Sequence, residues 1–451
     1  MMESLRNRED GIFYQSQIAR FRSGTADNGQ AWTRPLRESA FSRFAELGLP
    51  TTRLEEWKYT NVAPIARIPF NAPAVKNPKI SLERLAPSGL AWLAETRLVC
   101  VNGRFSPELS FVEKLPREIQ AGSLKAALSE QRSLVEPHLG RTVDCNDHAL
   151  VALNTALMED GVFVRIPKGT IIEKAVHLVF IATGGGDPTV SYPRNLIVME
   201  EDSQAKIIES YIGFDAGVYF TNAVTEIVVG DNAVLDHTKI ERESRKAFHI
   251  GALQVRQGRS SSFFSHVVLT GGALVRNEIG SLFTGEGGEC TLDGLYVAGG
   301  DQHVDNRTRI DHAQPHCSSR ELYKGILGGA ARGVFNGKII VHKDAAKTDA
   351  RQTNNNLLLS KEASVDTKPQ LEIYNNDVKC NHGSTIGQID PQALFYLRSR
   401  GLEEADAQRL LTFAFASEVI GRVKVERLRL QLEEWLLERF QERREDSNDS
   451  F

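Results

Sequence analysis

The sequence predicts a mainly β chain built around a solenoid of stacked coils, with helical segments on either side of it. Three observations carry that prediction. From Gly161 onward, short β-branched runs separated by turn residues replace helical patterning for over 200 residues. Turn clusters recur around Asp202, Asp231, Gly258 and Glu286, at intervals of 29, 27 and 28 residues, a repeat length suited to stacked coils. Hairpin dipeptides are few for so many strands, with Asp160-Gly161, Asp293-Gly294 and Asn336-Gly337 the clear examples.

Residues 1–150 read as mainly helical with irregular links. Phe13 to Leu47 is amphipathic, with a break at Pro35. Leu49 to Tyr59 reads as a turn into a short helix, with Thr51 or Thr52 as N-cap and Glu55 or Glu56 completing the capping pattern. A Pro/Ala/Asn-rich link follows from Asn71 to Pro78, and a short helix is expected near Ser123 to Ser129.

The core spans residues 151–389. Its first strands are expected at Val162–Ile166, Ala175–Ile181, Asn195–Met199 and Thr225–Val229. Asn354 to Asn356 and the Asn375-Asn376 pair are polar residues suited to stacking on successive turns.

Residues 390–451 form the second helical segment. Asp390 supplies an N-cap and Pro391 the first helical position, and Gly401 fits the stop after Arg400. A second helix is expected over 403–420 and a third over 423–442. In the third, Val425, Leu428, Leu432, Trp435 or Leu436, and Phe440 fall on one face, which Leu430 and Leu437 widen. Such a face serves either an internal bundle or a partner.

Composition narrows the function classes. Lys and Arg number 54 against 58 Asp and Glu, a net charge of −4, with both signs mixed along most of the chain. A nucleic-acid-binding body would need a concentrated basic face. The five cysteines (Cys100, Cys145, Cys290, Cys317, Cys380) form no Cys-x-x-Cys pair, so neither a disulfide framework nor a zinc finger is indicated. The first ten residues lack an apolar leader core and carry acidic groups, and no run approaches a membrane span. The expectation is a cytoplasmic protein that contacts neither membrane nor nucleic acid.

Nucleotide chemistry is disfavoured as well. Gly333 to Ile339 superficially resembles a phosphate loop, but it is one residue short between the glycines and has Ile where Ser or Thr should hold magnesium. Glu200-Glu201 sits at a turn and reads as solvated surface. No Gly-x-Ser-x-Gly elbow or His-Glu-x-x-His motif is present. The segment Asp301 to Cys317 is dense in possible ligands (His303, Asp305, His312, His316, Cys317), and a hydrogen-bonded polar ladder is the favoured reading over a metal site.

Cys380 and His382 stand out. In an extended run, residues two apart point to one face, so a thiol and an imidazole sit side by side. A bound metal would deprotonate the thiol. Two ligands cannot close a tetrahedral site, so the remainder must come from elsewhere in the chain, from sulfide or water, or from another protein. A core cysteine beside a satisfied histidine is the competing reading.

Four blocks then resemble a known family: Ala152–Gly169, Ile310–Gly325, Gln352–Ser360, and Pro369 through Gly387 into Leu394–Gly401, with a weaker echo at Glu55-Glu-Trp-Lys-Tyr-Thr60. They resemble the SufB/SufD family of iron–sulfur cluster assembly scaffolds, over most of residues 150–440. Lys379-Cys-Asn-His-Gly-Ser-Thr385 is similar to the SufD branch, as is Leu397 where the SufB branch carries a cysteine.

The resemblance implies a right-handed parallel β-helix core and a non-catalytic scaffold role. It further implies a heterodimer with a SufB-like paralogue through the β-helix, and a SufC-like ATPase docked on the C-terminal helices. A homodimer is possible when the chain is alone. A transient iron–sulfur cluster or iron would lie at the interface with SufB, with His382 and Cys380 contributing from this chain, which binds no nucleotide itself. The alternatives are the SufB paralogue, and a β-helix polysaccharide-cleaving enzyme.

Overall fold

The computed structural model describes residues 11–23, 31–73, 80, 96–184, 186–214 and 216–441. Between residues 163 and 387 the backbone winds through about eight coils. Each full coil gives one strand to each of two long parallel sheets. One sheet runs from Val176–Ala182 through Val234–Arg242, Glu289–Ala298 and Asp349–Leu358 to Lys379–Gly387. The other runs from Val162–Ile166 through Phe248–Gln257, His303–His312 and Arg332–Val341 to Ser364–Ile373. Antiparallel pairing is confined to the start, where Gln120–Ser123 joins Val162–Ile166 and Arg104–Phe105 joins Thr96–Val101.

The repeat legible in the turn residues is a repeat of corners. Asp202, Asn232, Ser260, Gly287, His316 and Lys347 all have φ between 52° and 71°, one in each successive coil. A left-handed residue lets the backbone turn sharply, at a cost of about 1–2 kcal/mol when it carries a Cβ. Stacking offsets that cost. The amide of Asp202 donates to the Asp231 carbonyl at 2.9 Å, that of Asn232 to Arg259 at 2.8 Å, and that of Ser260 to Glu286 at 2.8 Å. The series continues from His316 to Ala346 at 2.9 Å and from Lys347 to Asp377 at 2.7 Å. His316 is therefore a corner residue.

The bore is mainly apolar: Ile207, Leu235, Phe263, Leu292, Tyr296 and Phe335 belong to one buried cluster that runs along it. Because other elements cover much of the outside, many strands are buried on both faces and lack strict alternation. The helices Ile12–Arg22, Arg34–Leu47 and Ala149–Leu157 lay Phe13, Phe44 and Leu153 against Phe220, Phe248 and Leu274 of the second sheet. Pro35 sits in the first turn of its helix, where its missing N–H costs nothing, so it starts that helix and does not interrupt one. Glu55–Trp57 is a single 3-10 turn entered from Leu54, with no side-chain cap, so Thr51 and Thr52 do not serve as expected. Ser123 does cap Leu124–Glu130, accepting from the Ala126 amide at 3.1 Å. The link expected from Asn71 to Pro78 lies largely outside the described residues.

Helices Pro391–Ser399, Glu404–Ile420 and Glu426–Gln441 follow the last strand. The Asp390 carboxylate accepts from the Gln392 amide at 2.9 Å, and Gly401 takes φ +92° at the stop. Leu428, Leu432, Leu436 and Phe440 are buried against Ile240, Val268, Leu295 and Ile326 on the outer face of the first sheet. The apolar face of the third helix thus packs within the chain. Leu430 and Leu437 are exposed and do not widen it. Lys424 to Asp236 at 3.4 Å and Arg422 to Asp293 at 2.9 Å tie the helical segment to the coils. Among the described residues, no helix is long and apolar enough to cross a membrane.

Candidate metal site at the open end of the solenoid

The final coil decides where Cys380 and His382 point. Lys379–Gly387 pairs in register with Asp349–Leu358, Cys380 opposite Ala350 and His382 opposite Gln352. Ala350 and Gln352 are buried inside the bore. Cys380 and His382 therefore belong to the interior row of the last coil, with Ser384 and Ile386 continuing it. Among the described residues no further coil covers that row: Cys380 is half-buried against Ile339, Val341 and Ala345, while His382, Ser384 and Ile386 are exposed. Partial burial pushes the Cys380 thiol up from its ordinary value, so deprotonation needs a cation nearby.

The facing strand Ser364–Ile373 ends the second sheet in the same way, and its Pro369 and Leu371 are only partly buried. Both terminal strands are sheet edges with no further strand beside them among the described residues. Asp349 lies beside Lys379 in the ladder, but it is held by Arg320 at 2.7 Å. Among the described residues, no group of three ligand side chains includes Cys380 or His382.

The dense segment after Asp301 forms the polar ladder expected of it. The Thr60 hydroxyl donates to Asp305 at 2.6 Å and lies 3.0 Å from His303 Nε2. The Trp57 ring stacks under the Arg276 guanidinium at 3.6 Å, and Arg276 donates to Asp305 at 2.6 Å. Glu56 pairs with Arg307, and Glu55 with Lys368. The Glu55–Thr60 motif is thus a clasp that fastens the N-terminal segment to the coils. His312 Nε2 meets the Ser319 hydroxyl at 2.9 Å, and the Cys317 thiol donates to the Gly285 carbonyl at 3.5 Å. Gly333 to Ile339 lies within a strand and forms no phosphate loop. Glu200 pairs with Arg165 at 2.6 Å and Glu201 with Lys168 at 2.6 Å, as surface residues would. All five cysteines are free.

Sequence reasoning missed one cluster: Glu241, Glu243 and His249, buried together inside the solenoid. The signal was the same i, i+2 spacing that singled out Cys380 and His382, here at the end of a strand and the start of the corner after it. Carboxylates at that spacing are too common in turns and ladders to stand out alone.

A parallel β-solenoid with helical segments at both ends, and the Cys380–His382 row at an uncovered terminal coil, defines an open-ended solenoid protein. The SUF system FeS cluster assembly SufBD core domain matches residues 180–415, and the SufBD N-terminal region matches 14–178. The chain belongs to the SufBD family of iron–sulfur cluster assembly proteins. It is 35% identical to a SufBD family protein of Synechocystis over 88% of each chain. Identity to the iron–sulfur cluster assembly protein SufD of Escherichia coli is 32%, over 88% of this chain and 91% of the relative. To SufD of Bacillus subtilis it is 27%, over 89% and 92%.

Proposed function

We propose that this chain is a non-catalytic, SufD-like scaffold that supplies one half of a cluster-assembly site, the other half coming from a SufB-like paralogue. One observation carries the reading: the last coil leaves an interior row with Cys380 and His382 uncovered between two unpaired sheet edges. Edges of this kind favour strand addition by a second solenoid, which would bury the row and bring further ligands to it. Iron and sulfide are cargo at that interface, and His382 and Cys380 are the residues that hold it from this side. Imidazole and thiolate suit iron and its clusters.

A SufC-like ATPase would dock on the C-terminal helices and supply the nucleotide chemistry. Phe395 and Tyr396 are 74% and 57% exposed there, beside a shallow groove that includes Arg398 and Glu404. The setting for this work is the cytoplasm.

The test is co-expression with SufB-like and SufC-like partners, followed by iron, sulfide and ultraviolet–visible analysis of the purified complex. His382→Ala should leave the complex assembled but poorer in iron and sulfide. Unchanged iron and sulfide in that variant would refute the shared site. A chain that alone assembles a full cluster would favour the SufB assignment. Pairing only with itself would leave a homodimer as the occupant of the open edges.

A further inference from the structure

We propose that Glu241, Glu243 and His249 bind one divalent transition-metal cation inside the solenoid, at a site distinct from the terminal coil. Glu241 lies on Val234–Arg242, Glu243 in the corner that follows, and His249 on Phe248–Gln257. One ligand atom from each lies within 4.8 Å of the other two. Val234–Arg242 stands five strands before Lys379–Gly387 in the first sheet, about 24 Å along the axis at 4.8 Å per strand.

The imidazole lies between the two carboxylates. His249 Nδ1 is 2.7 Å from Glu243 Oε2, and Nε2 is 3.7 Å from Glu241 Oε2. Thr221 donates to the other Glu243 oxygen at 2.9 Å. Glu241 is fully buried, yet neither of its carboxyl oxygens has a hydrogen-bond partner. A buried carboxyl left so is costly in either protonation state, and a cation would satisfy it. Space is kept by Gly251, where a Cβ would come within 2.8 Å of both His249 Nε2 and Lys239 Nζ.

Charge balance points the same way. Lys239, 3.2 Å from His249 Nε2 and donating to Asn277 at 3.0 Å, is a cation already in the cluster. Glu209, its register neighbour, accepts from Tyr211 at 2.5 Å and lies 3.2 Å from His237 Nε2. Glu209, Glu241 and Glu243 share that one lysine, and a divalent ion would offset the negative charge it leaves. One imidazole with two carboxylates suits zinc, iron(II), manganese or cobalt, whereas calcium and magnesium take all-oxygen shells. The ligands sit just under the corner Ser244–Lys246, whose Arg245 and Lys246 are exposed, so loading requires only local opening or folding around the ion.

The test uses the full chain in a Cys380→Ser, His382→Ala background, so that metal at the terminal coil does not count. The protein is refolded with Co2+ or Zn2+ and desalted against chelator. The expected result is about one metal per chain, with a raised melting temperature, because only the folded state offers the site. Retention should fall at least about tenfold in Glu241→Gln, with circular dichroism confirming the fold. Retention below about a tenth of an equivalent, or equal retention in Glu241→Gln, overturns the proposal. Should Glu241→Gln fail to fold, X-ray absorption on the loaded parent decides. A shell of one imidazole nitrogen and oxygens supports the site, and a sulfur or all-oxygen shell refutes it.

Discussion

Gln352 and His382 stand opposite each other on neighbouring strands of the solenoid, in the same inward-facing row, but only Gln352 is inside. Gln352 donates to the buried carboxyl of Glu321, whereas His382 is exposed at the open end of the bore. The difference is the presence of one further coil.

Because His382 is exposed, its removal should not disturb the fold. His382→Ala is expected to change the unfolding free energy of the isolated chain, read from urea denaturation, by no more than about 0.5 kcal/mol. Cys380→Ala, half-buried against Ile339 and Val341, should cost about 1 kcal/mol. Comparing iron per complex in the two variants then separates ligand from neighbour. A loss confined to His382→Ala would make Cys380 packing alone.

The C-terminal helices should separate stability from docking. Leu432→Ala removes a buried anchor and is expected to cost about 2–5 kcal/mol. Phe395→Asp should leave the melting temperature close to that of the parent while weakening co-purification of the SufC-like ATPase. Undiminished co-purification would move the docking surface elsewhere on these helices, towards exposed Leu410, Leu430 or Leu437.

Thr60→Val keeps shape while removing the hydroxyl that reaches Asp305 and His303. The buried carboxylate then loses a donor, and a stability loss of about 1–3 kcal/mol is expected in urea denaturation. A neutral outcome would mean that Arg276 alone satisfies Asp305.

Glu321 predicts a pH dependence. Burial raises its carboxyl to about 7, against the ordinary 4.5, and its hydrogen-bond partners Gln352 and Thr308 are neutral. Between those values the folded chain holds a proton that the unfolded chain releases. Its contribution to stability is therefore complete below 4.5 and lost as pH rises through about 7. The buried histidines act the other way at lower pH: burial depresses His177 to about 3 and His312 to about 4, so they favour the fold as pH rises toward 6.5. The melting temperature of the parent should thus fall relative to that of Glu321→Gln between pH 4.5 and about 7 and run parallel to it at higher pH. An unchanged slope would assign it to another group.

Much of this architecture was legible in residue order because its determinants are local. The spacing of Asp202, Asp231, Gly258 and Glu286 is the coil length, since each lies at a corner stacked on the next. Asp390 and Ser123 cap their helices with atoms two or three residues away. The four conspicuous blocks sufficed to indicate the family.

What residue order could not decide was cover. An i, i+2 spacing says that two side chains share a face, and it does so equally for Cys380 with His382 and for Glu241 with Glu243. Whether that face is sealed depends on the strand stacked upon it, supplied by residues roughly 30 positions further along the chain in this fold. For Glu241 and Glu243 the next coil exists and closes the bore around them. For Cys380 and His382 no such coil is present among the described residues, and the same spacing leaves the pair uncovered. Thr60 makes the point across a longer span, since only the folded chain brings it to Asp305, 245 residues away. Sequence alone determined the repeat, the caps and the family; tertiary structure decided which polar rows are enclosed and which face outward, because burial is set by contacts between distant coils rather than by local periodicity.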